Sequence, residues 1–205
     1  MNAEITIHPR LQHFGLMTGN LDAMLDWYGK VLGMTVNFRS GPPAEGQKGP
    51  PFSFAFVSND EVHHRIAFIG IPGVTPDPEK RRHSRVQHVA FEYDTLDDLL
   101  GTYARLKGLG ILPVLAADEG MQTVLYYADP DQNNVELNVN NYGDERKATE
   151  HMKMAPAGQG PRRVLIDPEK LLQARKAGAS PLELHKRAFA GELAPATPYD
   201  PRALI

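Results

Sequence analysis

Residues 11–34, LQHFGLMTGNLDAMLDWYGKVLGM, and residues 86–110, VQHVAFEYDTLDDLLGTYARLKGLG, carry one pattern twice. Laid in register they match without a gap: Gln12 with Gln87, His13 with His88, Leu21 and Asp22 with Leu96 and Asp97, Leu25 with Leu100, Tyr28 with Tyr103. Each copy opens as an alternating strand and reaches a capping residue, Asn20 or Thr95. Each then places apolar residues at helical spacing: Leu21, Met24, Leu25, Tyr28 and Leu32 in the first, Leu96, Leu99, Leu100, Tyr103 and Leu106 in the second. Gly33, and Gly108 or Gly110, read as helix stops.

Three short strand candidates follow each helix. They are MTVNFR, FSFAFVS and RIAFIGI in the first half, ILPVLA, TVLYYA and VELNVN in the second. SGPPAEGQKGPP and ADPDQNN supply turns between them. The plan is therefore β-α-β-β-β twice, in residues 8–72 and 85–142, joined by the proline-rich, charged linker IPGVTPDPEKRRHSR. The expected class is α+β, with the two modules pairing into one curved mixed sheet over residues 8–142 and a helical appendage in residues 143–205. In the appendage, residues 141–163 carry few apolar side chains and read as a surface crossing. DPEKLLQARKAG reads as a helix capped by Asp167, and SPLELHKRAFAG as one capped by Ser180. The tail APATPYDPRALI has too much proline for either element.

Composition narrows the functions open to the chain. In 205 residues the net charge is −3 and cysteine is absent. That offers no basic surface for nucleic acid, no disulfide and no thiolate chemistry. No apolar run approaches the ~18 residues of a membrane span. MNAEITIHPR lacks the basic start and apolar middle of a signal peptide. A soluble, cytoplasmic protein is expected, and any metal must be held by His, Asp or Glu.

Strand parity then isolates three residues. Large apolar side chains, Phe14 and Leu16, Val89 and Phe91, Val135, Leu137 and Val139, should meet the helices. That leaves His13, His88 and Glu136 on the opposite, uncovered face, with small neighbours Gly15 and Ala90. A carboxylate in a strand of Val and Leu needs a cation, because an unpaired buried charge is costly. Two imidazoles and one carboxylate form the ligand set of a mononuclear non-haem Fe(II) site, with open positions left for substrate and oxygen.

The paired modules, this ligand set and DPDQNNVEL around the carboxylate resemble the vicinal oxygen chelate superfamily over roughly residues 8–142. Within it, NDEVHHRIAF resembles the histidine-pair segment of type I extradiol ring-cleaving dioxygenases, a group that includes enzymes acting on biphenyl diols. The resemblance implies O2 insertion into a catecholic aromatic at Fe(II), or at Mn(II), by a homodimer or higher homo-oligomer. It implies that His64 is the catalytic acid/base and that Tyr126, ten residues before Glu136, lines the site. A further histidine of that group should fall near Ala117, where this chain has AADEG.

His63 and His64 are adjacent, so a regular strand would aim only one of them into the site. His64 shares parity with Ile66 and Phe68 and is expected to face in, with His63 outward. Two alternatives stay open. In glyoxalase-like members the position of His64 supplies a fourth metal ligand, for lyase or isomerase chemistry. Other members bind drugs without metal. His8, His83, His151 and His185 are expected to face solvent.

Overall fold

The structure, a computed structural model, describes residues 8–42, 46, 48–154 and 162–204. The expectations for the first seven residues, for part of the proline-rich turn (43–45 and 47) and for 155–161 lie outside the described residues. Contacts divide the chain into two units, residues 1–76 and 77–205.

The first unit holds β1 (Phe14–Thr18), α1 (Leu21–Leu32), β2 (Thr35–Ser40), β3 (Ser53–Ser58) and β4 (Ile66–Gly70). Its sheet runs β1-β4-β3-β2, with β1 parallel to β4 and the other pairs antiparallel. Asn20 caps α1 by accepting the Ala23 amide at 3.1 Å. Gly33 ends α1 in the left-handed region, at φ 66°. One stripe of α1, including Met24, Tyr28 and Val31, is buried. On the sheet, Ala55, Val57, Ile66 and Phe68 are buried, and the Tyr28 and Phe68 rings meet at 5.1 Å.

The second unit repeats this order with β5 (His88–Tyr93), α2 (Leu96–Gly108), β6 (Leu115–Asp118), β7 (Gln122–Ala128) and β8 (Asn134–Asn140). It then adds α3 (Glu145–Lys153), β9 (Val164–Leu165), α4 (Pro168–Lys176) and α5 (Pro181–Phe189). The sheet runs β5-β8-β7-β6-β9, again with its first pair parallel. Thr95 caps α2 through the Asp98 amide at 3.1 Å, and all five of the expected apolar residues of α2 are buried. Asp167 and Ser180 cap α4 and α5 as expected.

The α+β class and the doubled module stand, and three expectations are corrected. Where one hydrogen-bonded sheet was expected, the ladders form two, one per module. The surface-crossing segment contains α3, capped by Asp144 through the amides of Arg146 and Lys147. Only Ala148 of α3 is buried, so the helix has no apolar stripe to announce it. The tail forms a 3-10 turn at Pro201–Leu204. Among the described residues no helix is long and apolar enough to cross a membrane.

Gly19, between β1 and α1, is a close-approach position. A Cβ there would stand 2.0 Å from the Val74 carbonyl oxygen. Gly19→Ala is therefore expected to destabilise by about 1–3 kcal/mol, the usual scale of overpacking. Urea denaturation reads this directly, and an unchanged midpoint would contradict the packing described.

Candidate functional site

The second unit builds one part of the site around a turn. Asp129 accepts the amides of Asp131 (2.9 Å) and Asn133 (2.8 Å), and Gln132 takes a left-handed φ of 61°. Lys80 ties the turn down by donating to the Asp131 carbonyl at 2.9 Å and the Asn133 side chain at 2.5 Å. This fixes where β8 starts. Tyr126 on β7 then pairs with Glu136 on β8, and Ala90 on β5 pairs with Glu136 from the other side. Paired residues share a face, so His88, Tyr126 and Glu136 lie together, away from Val135, Leu137 and Val139.

Glu136 is 1% exposed. Its Oε1 accepts from Gln122 Nε2 at 3.0 Å and from Asn138 Nδ2 at 2.9 Å. Its Oε2 faces His88 Nε2 at 3.2 Å. The other nitrogen of His88, Nδ1, is engaged by the side-chain oxygen of Gln87. An amide oxygen only accepts, so Nδ1 carries a proton and Nε2 is the ring atom turned to the carboxylate. A lone pair against a carboxylate oxygen is repulsive unless a proton or a metal cation lies between them. This nitrogen and oxygen donor set suits a first-row divalent ion. Tyr126 lies edge-on to His88, with ring centroids 5.7 Å apart. Its phenol is pushed well above the usual range, by burial first and then by a hydrogen bond to Glu136. It is a fixed hydrogen-bond donor at neutral pH.

The first unit holds the matching histidine. Gln12 engages His13 Nδ1 as Gln87 engages His88. Residues 59–65 form a bent loop between β3 and β4, clamped by Arg65, which pairs with Asp60 at 2.7 Å and donates to the Gln12 carbonyl at 3.1 Å. The loop brings the His64 ring 4.3 Å from His13 and stacks it on Phe56 at 4.5 Å. Burial first, then the neighbouring His13 and His63, holds His64 below the ordinary imidazole range. Asn37, Phe38, Phe54, Phe56, His63 and His64 line an open pocket of about 660 Å³. The three phenylalanine rings lie 5.4–5.8 Å apart.

The expected residues thus fall into two groups, His13 with His64, and His88 with Tyr126 and Glu136. Within each unit taken by itself, no three His, Asp or Glu side chains among the described residues are grouped to hold a metal ion. The alternation argument for the histidine pair is corrected. Ile66 and Phe68 are buried on the α1 side, and His64 reaches the pocket because its loop is not strand. For the same reason His63 does not turn away: it lines the pocket too, with its ring 4.4 Å from His64. The expectation of an uncovered face is corrected along β8, where Asn134, Glu136 and Asn138 are all buried, while His88 and Ala90 on the same face of β5 are exposed. Ala117, where a further histidine was sought, is packed among Leu115, Val124, Tyr126 and Leu204. His185 does not face solvent freely, since its Nδ1 lies 2.7 Å from buried Asp118.

Sequence reasoning assigned no role to Gln12, Gln87, Gln122, Asn138 or the phenylalanine cluster. The repeat aligns Gln12 with Gln87, and that alignment was the available signal.

The model of the Glyoxalase/Bleomycin resistance protein/Dioxygenase superfamily matches residues 10–137, and the chain belongs to this family. It is 36% identical over 194 residues to biphenyl-2,3-diol 1,2-dioxygenase 2 of Rhodococcus globerulus, spanning 95% of this chain and 96% of that protein. It is likewise 36% identical to biphenyl-2,3-diol 1,2-dioxygenase 3 of the same organism, over 91% of this chain and 92% of that protein. Two solved structures share the fold. One is a domain of the same superfamily from Frankia sp. EAN1pec, with TM-score 0.55 and 20% identity over 69% of this chain and 98% of that one. The other is glyoxalase I of Leishmania major, with TM-score 0.51 and 21% identity over 71% of this chain and 96% of that one.

Asp60 makes the histidine loop sensitive to acid. Arg65 first, and the Ser58 hydroxyl next, lower its carboxyl to about 2. A carboxylate depressed on folding stabilises the fold above its unfolded value near 4, and this contribution fades as pH falls towards about 2. In Arg65→Gln the Asp60 carboxyl should titrate measurably higher by NMR, though still held down by Ser58. A value still near 2 would mean that Arg65 is not the clamp.

Proposed function

We infer that this chain is an extradiol-type dioxygenase, which opens a catecholic ring with O2 at a single Fe(II) ion held by His13, His88 and Glu136. Mn(II) is the other ion this donor set suits. The observation that carries the reading is His88 Nε2 set against buried Glu136 Oε2, a contact that requires a cation or a proton. The similarity to two biphenyl-2,3-diol dioxygenases along nearly the whole chain supports the same reading.

When bound, the ion supplies positive charge that acidifies the catechol hydroxyls and a redox centre through which ring and O2 exchange electrons. The chain's own residues do the rest. Gln12 and Gln87 hold the two imidazoles by Nδ1 and leave Nε2 to ligate. Gln122 and Asn138 occupy Glu136 Oε1 and leave Oε2 to ligate. Phe38, Phe54 and Phe56 offer flat apolar surface for an aromatic ring, which favours aryl-substituted catechols over small ones. His64, beside that surface, takes a hydroxyl proton from the substrate and returns it as the ring opens. Tyr126 would turn its single hydroxyl hydrogen from Glu136 to a substrate oxygen. Both atoms of O2 end in the opened product.

A second reading rests on the 4.3 Å separation of the His13 and His64 rings. That proximity also suits His64 as a fourth ligand, as in a glyoxalase-like lyase or isomerase.

The deciding experiment loads the protein with Fe(II) and screens catechols, including biphenyl-2,3-diol, in air for a yellow ring-opened product. His13→Ala, His88→Ala and Glu136→Ala should each lose the metal. His64→Gln should keep it and lose turnover by roughly 10²- to 10⁴-fold, the scale of general acid–base catalysis. Loss of metal from that variant instead selects the four-ligand reading. Tyr126→Phe should slow turnover by roughly tenfold to a thousandfold; an unchanged rate removes it from the site.

A further inference from the structure

The two modules hold their histidines by the same device but anchor it differently. In the first, Gln12 presents its oxygen to His13 while its amide nitrogen reaches His63 Nε2 at 3.4 Å and the His64 carbonyl at 3.5 Å. The glutamine is held by the histidine loop of its own module. In the second, Gln87 presents its oxygen to His88, but its amide donates to the carbonyl of Leu204 at 2.5 Å. That partner lies 117 residues on, in the C-terminal tail, outside the repeat.

The tail is built to reach this point. Asp167 N–H donates to the Leu193 carbonyl at 2.7 Å as the chain leaves the last helix. The Tyr199 hydroxyl donates to the Ile166 carbonyl at 3.2 Å, and Ile166 N–H in turn donates to Ala116 of β6. Asp200 caps the final turn, accepting the Arg202 amide at 2.9 Å. Leu204, 6% exposed, then packs with Leu115, Ala117, Val124 and Tyr126 on the face that carries Glu136. Leu204 therefore touches the site twice, by its side chain at Tyr126 and by its carbonyl at Gln87.

We propose that residues 199–204 clamp the second part of the site, with the Leu204 carbonyl holding Gln87 and Gln87 fixing the tautomer and orientation of the His88 ring. Gln87, Tyr199 and Leu204 are positioning residues: they act on metal and substrate only through His88 and Tyr126. The consequence for metal binding rests on the function proposed above, whereas the effect on the His88 ring does not. Orienting groups behind a ligating histidine change metal affinity by roughly 10- to 100-fold.

The test compares wild type with Gln87→Met and Leu204→Asp in the full chain. Gln87→Met removes both amide contacts and leaves the tail packed. Leu204→Asp drives the turn off its apolar seat by placing a carboxylate there. Two quantities are read: the His88 tautomer, by imidazole ¹⁵N NMR on metal-free protein, and Co(II) affinity by titration. Wild type should hold the proton on Nδ1. Both variants should show mixed tautomers and bind Co(II) roughly 10- to 100-fold more weakly, with circular dichroism unchanged. If Leu204→Asp fails to fold, Tyr199→Phe, which deletes one hydroxyl from the anchor, must shift the tautomer in the same direction. A wild-type tautomer in both variants overturns the clamp, and so does a change in Gln87→Met that no tail variant reproduces. If wild type takes up no Co(II) while the tail variants still shift the His88 tautomer, the clamp stands and the metal-dependent function falls.

Discussion

A carboxylate shut away from water in the middle of a sheet constrains everything beside it. Glu136 is tolerated in such a place only if its oxygens are satisfied. Two amide nitrogens, from Gln122 and Asn138, converge on Oε1. Oε2 is directed at an imidazole nitrogen of a ring whose other nitrogen is held by Gln87. The Asp129 turn that sets where β8 begins, the pairing with Tyr126 and the parallel pairing with Ala90 all bear on this one residue. A one-residue slip of β8 would put Glu136 among the apolar side chains that face α2.

Duplication of the module explains both the symmetry of the arrangement and its limits. Both copies keep a Gln-His pair at the start of the first strand, and in both the glutamine oxygen takes the histidine's Nδ1. What surrounds the pair differs. The first copy has a bent loop with two histidines and an aromatic pocket. The second has the carboxylate, the tyrosine and a covering tail.

Much of this was legible in the sequence where the physics is local. Caps at Asn20, Thr95, Asp167 and Ser180, the helical stripe from Leu96 to Leu106 and the alternation through Val135, Leu137 and Val139 each read correctly, because spacing alone determines them. Alternation misled where the backbone is not strand. His64 sits in a bend, so parity with Ile66 said nothing about its direction. α3 escaped because its only buried residue is Ala148 and its charges cap it without an apolar face. The tail's place on β6 and β7 could not be read either, since it depends on contacts between residues more than 70 positions apart, such as Leu204 with Tyr126. The apolar packing at Ala117 belongs to the same class: an alanine in a sequence does not say what fills the space beside it.

We propose that His13, His88 and Glu136 together hold one divalent ion. X-ray absorption at the iron edge of the Fe(II)-loaded protein tests it most directly, because imidazole rings leave a multiple-scattering signature that carboxylates and water do not. Two imidazoles within a shell completed by oxygen are expected. Three imidazoles would bring His64 into the coordination sphere, and one or none would leave the two parts of the site unconnected; either result contradicts it.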